Sequence, residues 1–125
     1  MEDLNKITDK IIGCCFKVHS ELGPGFNEKV YHNALKLSLE KCNLKYDTEK
    51  EFIVSYEKKR VGRLKVDLIV ENKVIVEIKA IVGILPTVFK YQLISYLKVA
   101  DLPVGLLVNF GNKSCEIKRI MSRSV

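Results

Sequence analysis

The strongest constraint on this chain is a pair of stretches, residues 63–70 and 73–80, in which apolar residues recur at every second position. Runs of that period read as β-strands, and a connection this short makes them an antiparallel hairpin. Two registers are open. A two-residue turn at Glu71-Asn72 scatters the apolar side chains over both faces. A three-residue turn, Glu71-Asn72-Lys73, gathers Val66, Leu68, Val70, Val74, Val76 and Ile78 on one face. Burial of a single face fixes register strongly, so the three-residue turn is expected, with Asn72 supplying a left-handed residue.

That register decides what the other face carries: Lys65, Asp67, Ile69, Ile75, Glu77 and Lys79. Asp67 falls directly across from Glu77, at about 5 Å between Cβ atoms. Lys79 lies on the same face, two positions beyond Glu77. Two carboxylates so close repel when unpaired; they either raise a pKa or share a divalent cation. Mg²⁺ (or Mn²⁺) suits a site of one or two carboxylates, several waters and a substrate phosphate. A lysine beside it could orient an attacking water and offset developing negative charge. The alternative is an ordinary ion pair between Lys79 and one of the two acids.

The rest of the chain supplies a framework. Leu4, Ile7, Ile11, Cys15, Val18 and Leu22 recur at helical spacing, and Gly23-Pro24-Gly25 ends that helix. Asn27 reads as the N-cap of a second helix with Glu28 in its first turn, Tyr31, Ala34, Leu35 and Leu39 facing inward, and Asn43 at its end. A strand over Phe52–Tyr56 precedes a charged turn at Lys58-Lys59-Arg60. Pro86-Thr87 opens a third helix running to about Ala100, with Phe89, Leu93 and Leu97 as its inward stripe. Strands over Val104–Asn109 and Ser114–Ile120 follow. The order α-α-β-β-β-α-β-β predicts an α/β fold, a central mixed sheet flanked by helices, built as a single domain over residues 1–125.

Composition narrows the function classes. The 125 residues are 47% hydrophobic, enough to bury a core, which excludes disorder as the main state. No window has the apolar length of a membrane span, so no membrane partner is expected. The polar start, Met1-Glu2-Asp3-Leu4-Asn5-Lys6, lacks the pattern of a secretory signal, and the expected location is cytoplasmic. The net charge of +6 lies entirely after residue 50. That suits an anionic partner such as nucleic acid, and Lys58, Lys59, Arg60 and Arg63 cluster where they could bind phosphates. Cys14, Cys15, Cys42 and Cys115 form no C-x-x-C pair, so neither zinc nor a disulfide framework is expected. His19 and His32 fit no motif and read as helix-surface or boundary residues.

Asp67, then Glu77-Ile78-Lys79 on the next strand, followed by a helix, resembles the D…(D/E)-x-K core of the PD-(D/E)XK nuclease superfamily. Gly25-Phe26-Asn27-Glu28-Lys29-Val30-Tyr31 spells G-x-x-E-x-x-Y and resembles the signature of the GxxExxY proteins of that superfamily. Gln92-Leu93-Ile94-Ser95-Tyr96 spells Q-x-x-x-Y, similar to the pattern after E-x-K in RecB-like nucleases. Pro103 to Gly111 is similar to the family's final strand. One departure is that Val66 stands where the superfamily often has Pro before its first Asp.

The resemblance implies a restriction-endonuclease-like fold and Mg²⁺-dependent phosphodiester hydrolysis leaving 5′-phosphate and 3′-hydroxyl ends. By resemblance, Asp67 and Glu77 would bind metal with the backbone carbonyl of Ile78, and Glu28 would bring a further acid. Lys79 would position the water, and Gln92 and Tyr96 would support the site or meet the DNA backbone. The iron–sulfur cysteines of some RecB-like nucleases have no counterpart here, so no iron–sulfur cluster is expected. Glu28 also reads as a carboxylate complementing a helix dipole, and Gln92 and Tyr96 as residues at the edge of a core stripe.

Three functions of different classes follow. The first is a metal-dependent DNA nuclease with little sequence specificity unless a protein partner supplies it, RNA being the other polymer it could take. The second is a junction-resolving endonuclease acting as a homodimer, since two sites must cut two strands. The third is a nucleic-acid-binding or interaction module without catalysis, which would show salt-dependent affinity and no cleavage.

Overall fold

The structure is a computed structural model that describes residues 3–122. Helix α1 (Leu4–Leu22) starts where the Asp3 carboxylate accepts the Asn5 N–H at 3.3 Å, and it stops at Gly23, whose φ of 71° is left-handed. Helix α2 (Glu28–Lys41) starts at Asn27, whose side-chain oxygen accepts the Val30 N–H at 3.2 Å. Strands β1 (Tyr46–Tyr56), β2 (Lys59–Val70) and β3 (Val74–Lys79) follow, then α3 (Val88–Ala100), β4 (Val104–Asn109) and β5 (Glu116–Met121). The element order is the expected one.

The five strands lie side by side in chain order. The pairings are antiparallel except β3 with β4, which are parallel and joined through α3. The sheet is therefore mixed, with α1 and α2 packed on one face and α3 on the other. The first face buries Ile11, Leu35, Leu68, Val76, Leu106 and their neighbours; the second buries Ile69, Ile75, Leu93, Leu97 and Leu107. Among the described residues no helix is long and apolar enough to cross a membrane. Cys14, Cys15, Cys42 and Cys115 form no disulfide; the Cys14 and Cys42 thiols share a hydrogen bond at 3.5 Å.

The β2–β3 register is the one expected from the three-residue turn: Val70 faces Val74, Ile69 faces Ile75 and Leu68 faces Val76. Both Glu71 and Asn72 take positive φ, 53° and 55°. Glu71 is held in that conformation by two bonds to Lys45, its N–H to the Lys45 carbonyl at 2.8 Å and its carboxylate to the Lys45 N–H at 2.6 Å.

Three expectations need correction. His19 is not a helix-surface or boundary residue: it is buried against the Phe110 ring, with its Nε2 2.8 Å from the Asn112 carbonyl oxygen. The charged turn is Glu57-Lys58, both at positive φ, while Lys59 and Arg60 already belong to β2. Val66 does not join Leu68 and Val70; it is buried on the α3 face with Ile69 and Ile75. The reason lies at one level of the β1–β2 pair. Glu49, at φ 53°, and Asp67 both drop out of the ladder, so Thr48 opposite Leu68 is followed by Lys50 opposite Val66. One residue lost from each strand leaves the register unchanged, yet it exchanges the faces beyond that point.

The segment after β3 is clamped by asparagines. Asn109 is fully buried; its amide oxygen accepts the N–H groups of Ile81 (2.8 Å) and Gly111 (3.1 Å), and its amide nitrogen donates to the Ile81 carbonyl (2.9 Å). Asn112 grips Gly83 in the same double fashion, at 2.8 Å each way, in a more exposed position. A Cβ on Gly111 would stand 2.4 Å from the Ile81 backbone, so only glycine lets the two segments meet. Asn109→Ala leaves both backbone groups of Ile81 without partners, and urea unfolding is expected to read a loss of about 2–3 kcal/mol. Asn112→Ala, whose backbone partners water can reach, is expected to lose less than about 1 kcal/mol in the same measurement.

Candidate active site

Where the β2–β3 ladder ends, carboxylates replace carbonyls as acceptors. The Asp67 N–H donates to Glu77 Oε2 at 2.8 Å, and the Ile78 N–H donates to Asp67 Oδ2 at 2.8 Å. The two acids are thus pinned reciprocally between the strands, each by one oxygen. Among the described residues no hydrogen bond engages Asp67 Oδ1 or Glu77 Oε1, which leaves one acceptor oxygen on each acid uncommitted.

Glu77 is only 6% exposed. Burial, then the Asp67 charge, pushes its carboxyl up to about 8; the Asp67 N–H and Lys79 oppose that shift, and Glu28 adds to it. Lys79 forms no ion pair within 4 Å among the described residues. Its ammonium instead rests on the ring of Phe89 from α3, 4.2 Å from the centroid, a cation–π contact that fixes it beside the acids. The structure therefore brings Asp67, Glu77 and Lys79 together, and Phe89, a residue of the inward stripe of α3, also supports the lysine.

Helix α2 reaches the pair from one face of the sheet. Glu28 is exposed in its first turn, near enough for its charge to act on Glu77. Glu28 does not complete a cage: no group of three or more His, Cys, Asp and Glu side chains among the described residues is arranged to hold a metal. His32, four residues after Glu28, is half-buried, the boundary position expected of it, and lies near enough for the Asp67 charge to act on it. Its Nε2 lies 3.1 Å from Thr48 Oγ1. Burial holds its imidazole below the ordinary value, against the opposing charges of Asp67 and Glu49. The signal for His32 was its helical spacing from Glu28.

From the other face, α3 brings Tyr96, half-buried, whose phenol is held above its usual range by burial and by the Glu77 and Asp67 charges. Gln92, one turn earlier, is exposed. Arg63 pairs with Glu51 at 3.3 Å, while Lys58, Lys59 and Arg60 stand exposed at the far end of the β1–β2 ribbon, away from the acids.

The chain as a whole matches a family model, that of the PD-(D/E)XK nuclease superfamily, over residues 5–120. The chain belongs to the PD-(D/E)XK nuclease superfamily. Members of this superfamily are usually nucleases that act on nucleic acid, and they typically use Mg²⁺ or Mn²⁺. The crystal structure of SSO0001 is similar, with a TM-score of 0.59 and 24% sequence identity; the match covers 75% of this chain and 49% of that one. This chain thus spans about half the length of the SSO0001 chain. With the observed element order, that likeness gives this superfamily member a restriction-endonuclease-like fold. No curated protein matches the chain in sequence.

The raised Glu77 carboxyl makes stability depend on pH. Its folded value, about 8, exceeds the unfolded value near 4.5, so the stability it contributes is complete below the lower value and is lost as pH rises through the upper one. Metal-free protein is expected to melt at least about 4 °C lower at pH 8.5 than at pH 5.5. Glu77→Gln, which keeps an acceptor for the Asp67 N–H, is expected to flatten that dependence in a thermal scan.

Proposed function

We propose that this superfamily member is a metal-dependent DNA nuclease of little sequence specificity. We place it with the GxxExxY and RecB-like proteins, acting in the cytoplasm as one domain over residues 1–125. The observation that carries the reading is the Asp67–Glu77 pair, in which one oxygen of each acid is committed to a backbone N–H and the other accepts no hydrogen bond among the described residues.

That donor set fits Mg²⁺ or Mn²⁺: hard oxygens, few protein ligands, and room for waters and a substrate phosphate. Asp67 and Glu77 would hold the ion, with the Ile78 carbonyl as a further oxygen, while Glu28, which the resemblance also makes a ligand, would act through its charge. When bound, such an ion polarises the phosphodiester and makes water a better nucleophile. Glu77 must give up its proton first, so metal affinity should rise with pH up to about 8.

The chain's own residues do the rest. Lys79, steadied by Phe89, orients the attacking water and offsets charge growing on the phosphate. Tyr96 keeps its phenolic proton at neutral pH and can donate to a phosphate oxygen, with exposed Gln92 one turn away offering an amide donor. His32, neutral at pH 7, can accept or relay a proton on the α2 side. Attack on phosphorus with cleavage of the bond to the 3′ oxygen leaves 5′-phosphate and 3′-hydroxyl ends. Contacts to phosphates carry no base information, so sequence choice would come from a protein partner.

The test is cleavage of labelled double-stranded, single-stranded and branched DNA with Mg²⁺, Mn²⁺ or EDTA. Asp67→Ala and Lys79→Ala are each expected to lower the rate by at least about 100-fold while circular dichroism stays unchanged. Tyr96→Phe is expected to cost about tenfold. Folded wild type that cuts none of these substrates with either metal would overturn the reading.

A further inference from the structure

The longest strands in the sheet, β1 and β2, run well past the core. Beyond the Phe52–Leu64 pair, which packs against the α3 cluster, and the half-buried Val54 and Gly62, every residue from Ser55 to Val61 is exposed. Nothing among the described residues covers either face of the ribbon's end. An isolated two-stranded ribbon is marginal in water. Here it also displays apolar surface: Ile53, Tyr56 and Val61 are 59%, 67% and 62% exposed.

Its charge is one-sided. Between Glu49 and Lys65 there are six basic and three acidic residues, half of the net +6 of the whole chain. Arg63 and Lys65 spend their charge on Glu51 and Glu49, at 3.3 and 3.9 Å. Lys58, Lys59 and Arg60 at the tip have no ion-pair partner among the described residues. The base of the ribbon is the Glu49–Asp67 level, where the ladder opens and the strands change faces. Arm and acidic pair therefore share a residue, Asp67.

We infer that this ribbon is an arm that lies in the major groove of B-form duplex DNA and sets a minimum duplex length on one side of the cut. The inference rests on the nuclease reading for what happens at Asp67. A two-stranded ribbon fits a groove about 12 Å wide. The deep, narrow major groove of A-form RNA does not admit one. From Asp67 to Lys59 is eight residues of strand, about 26 Å at about 3.3 Å per residue. At about 3.4 Å per base pair, that reach corresponds to roughly seven or eight base pairs. The tip cations meet phosphates flanking the groove, and Tyr56 and Val61 lie against base edges and sugars.

The test measures affinity by fluorescence anisotropy in EDTA, so that it does not depend on cleavage. Probes are DNA duplexes of 5–16 base pairs, single strands and RNA duplexes of equal length. Proteins are wild type, K58Q/K59Q/R60Q, and a short-arm variant with residues 55–61 replaced by Asn-Gly, a pair that closes a tight hairpin. Wild-type affinity, corrected for the number of sites, is expected to step up between about six and ten base pairs and then level off. The charge variant is expected to lower the salt slope on DNA duplex by about 2–3, at about 0.9 per phosphate contact, and to leave the RNA-duplex slope unchanged. The short-arm variant is expected to lose the length step. Equal slope losses on RNA duplex or single strand, or an affinity with no length step, would overturn the arm. A separate cleavage assay with Asp67→Ala reports on the nuclease reading: a length step without cleavage would sink that reading alone, and cleavage without a length step would sink the arm alone.

Discussion

The structure turns on an exchange of hydrogen-bond partners. At the end of the β2–β3 ladder, the Asp67 and Ile78 N–H groups bond to carboxylates and not to carbonyls. A carboxylate in that position must be bent in from its own strand, which ends the direct pairing at Leu68–Val76. It also brings charge to a place where Glu77 is nearly sealed from water, and desolvation resists that charge. The Asp67 N–H and the Lys79 ammonium compensate in part, and the raised Glu77 carboxyl records what they leave uncompensated. A buried proton held near neutral pH is a poor device for stability alone. It is a fitting one for the proposed metal site, where the proton would give way to a cation.

The same exchange explains the shape around it. β1 matches the disturbance in β2 by turning Glu49 out of the ladder with a positive φ, a conformation that costs energy in any residue with a side chain. The outer ribbon then offers Phe52 and Leu64 to α3, while the inner sheet offers Leu68 and Val70 to α1 and α2. Without the change of faces, Val66 would compete for the surface that Leu68 already fills.

What the sequence made legible follows from which rules stayed local. The valines and isoleucines of residues 66–78 select one register, and that register puts Asp67 level with Glu77. Val66 defeated the same logic because alternation assumes an unbroken pleat, and Glu49 and Asp67 are not residues that announce a break. The Glu57-Lys58 turn was misplaced by a residue for a related reason: two left-handed residues there are neither Gly nor Asn, so three adjacent cations looked like the turn. A lone histidine matches no motif, so only the placement of α2 against the sheet shows that His32 and Glu28 are both near enough to the acids for their charges to interact.

The G-x-x-E-x-x-Y stretch shows how a motif can be mostly scaffold. Gly25 takes φ 113° in the turn, and the fully buried Tyr31 hydroxyl ties that turn together, donating to the Gly23 carbonyl at 2.6 Å and accepting the Phe26 N–H at 3.2 Å. Tyr31 in turn stacks on Phe110, with ring centroids 4.6 Å apart and planes 5° from parallel. The Phe110 N–H then bonds to the Lys79 carbonyl at 2.8 Å. A continuous line of contacts therefore runs from the start of the helix that carries Glu28 to the strand end that carries Lys79. Glycine and tyrosine in this stretch are needed for geometry, and the glutamate between them is the residue free to do chemistry. The helix could slide or tilt on an apolar face alone, since burial is non-directional. The hydroxyl and the stacked rings are directional, and they set where that face stops.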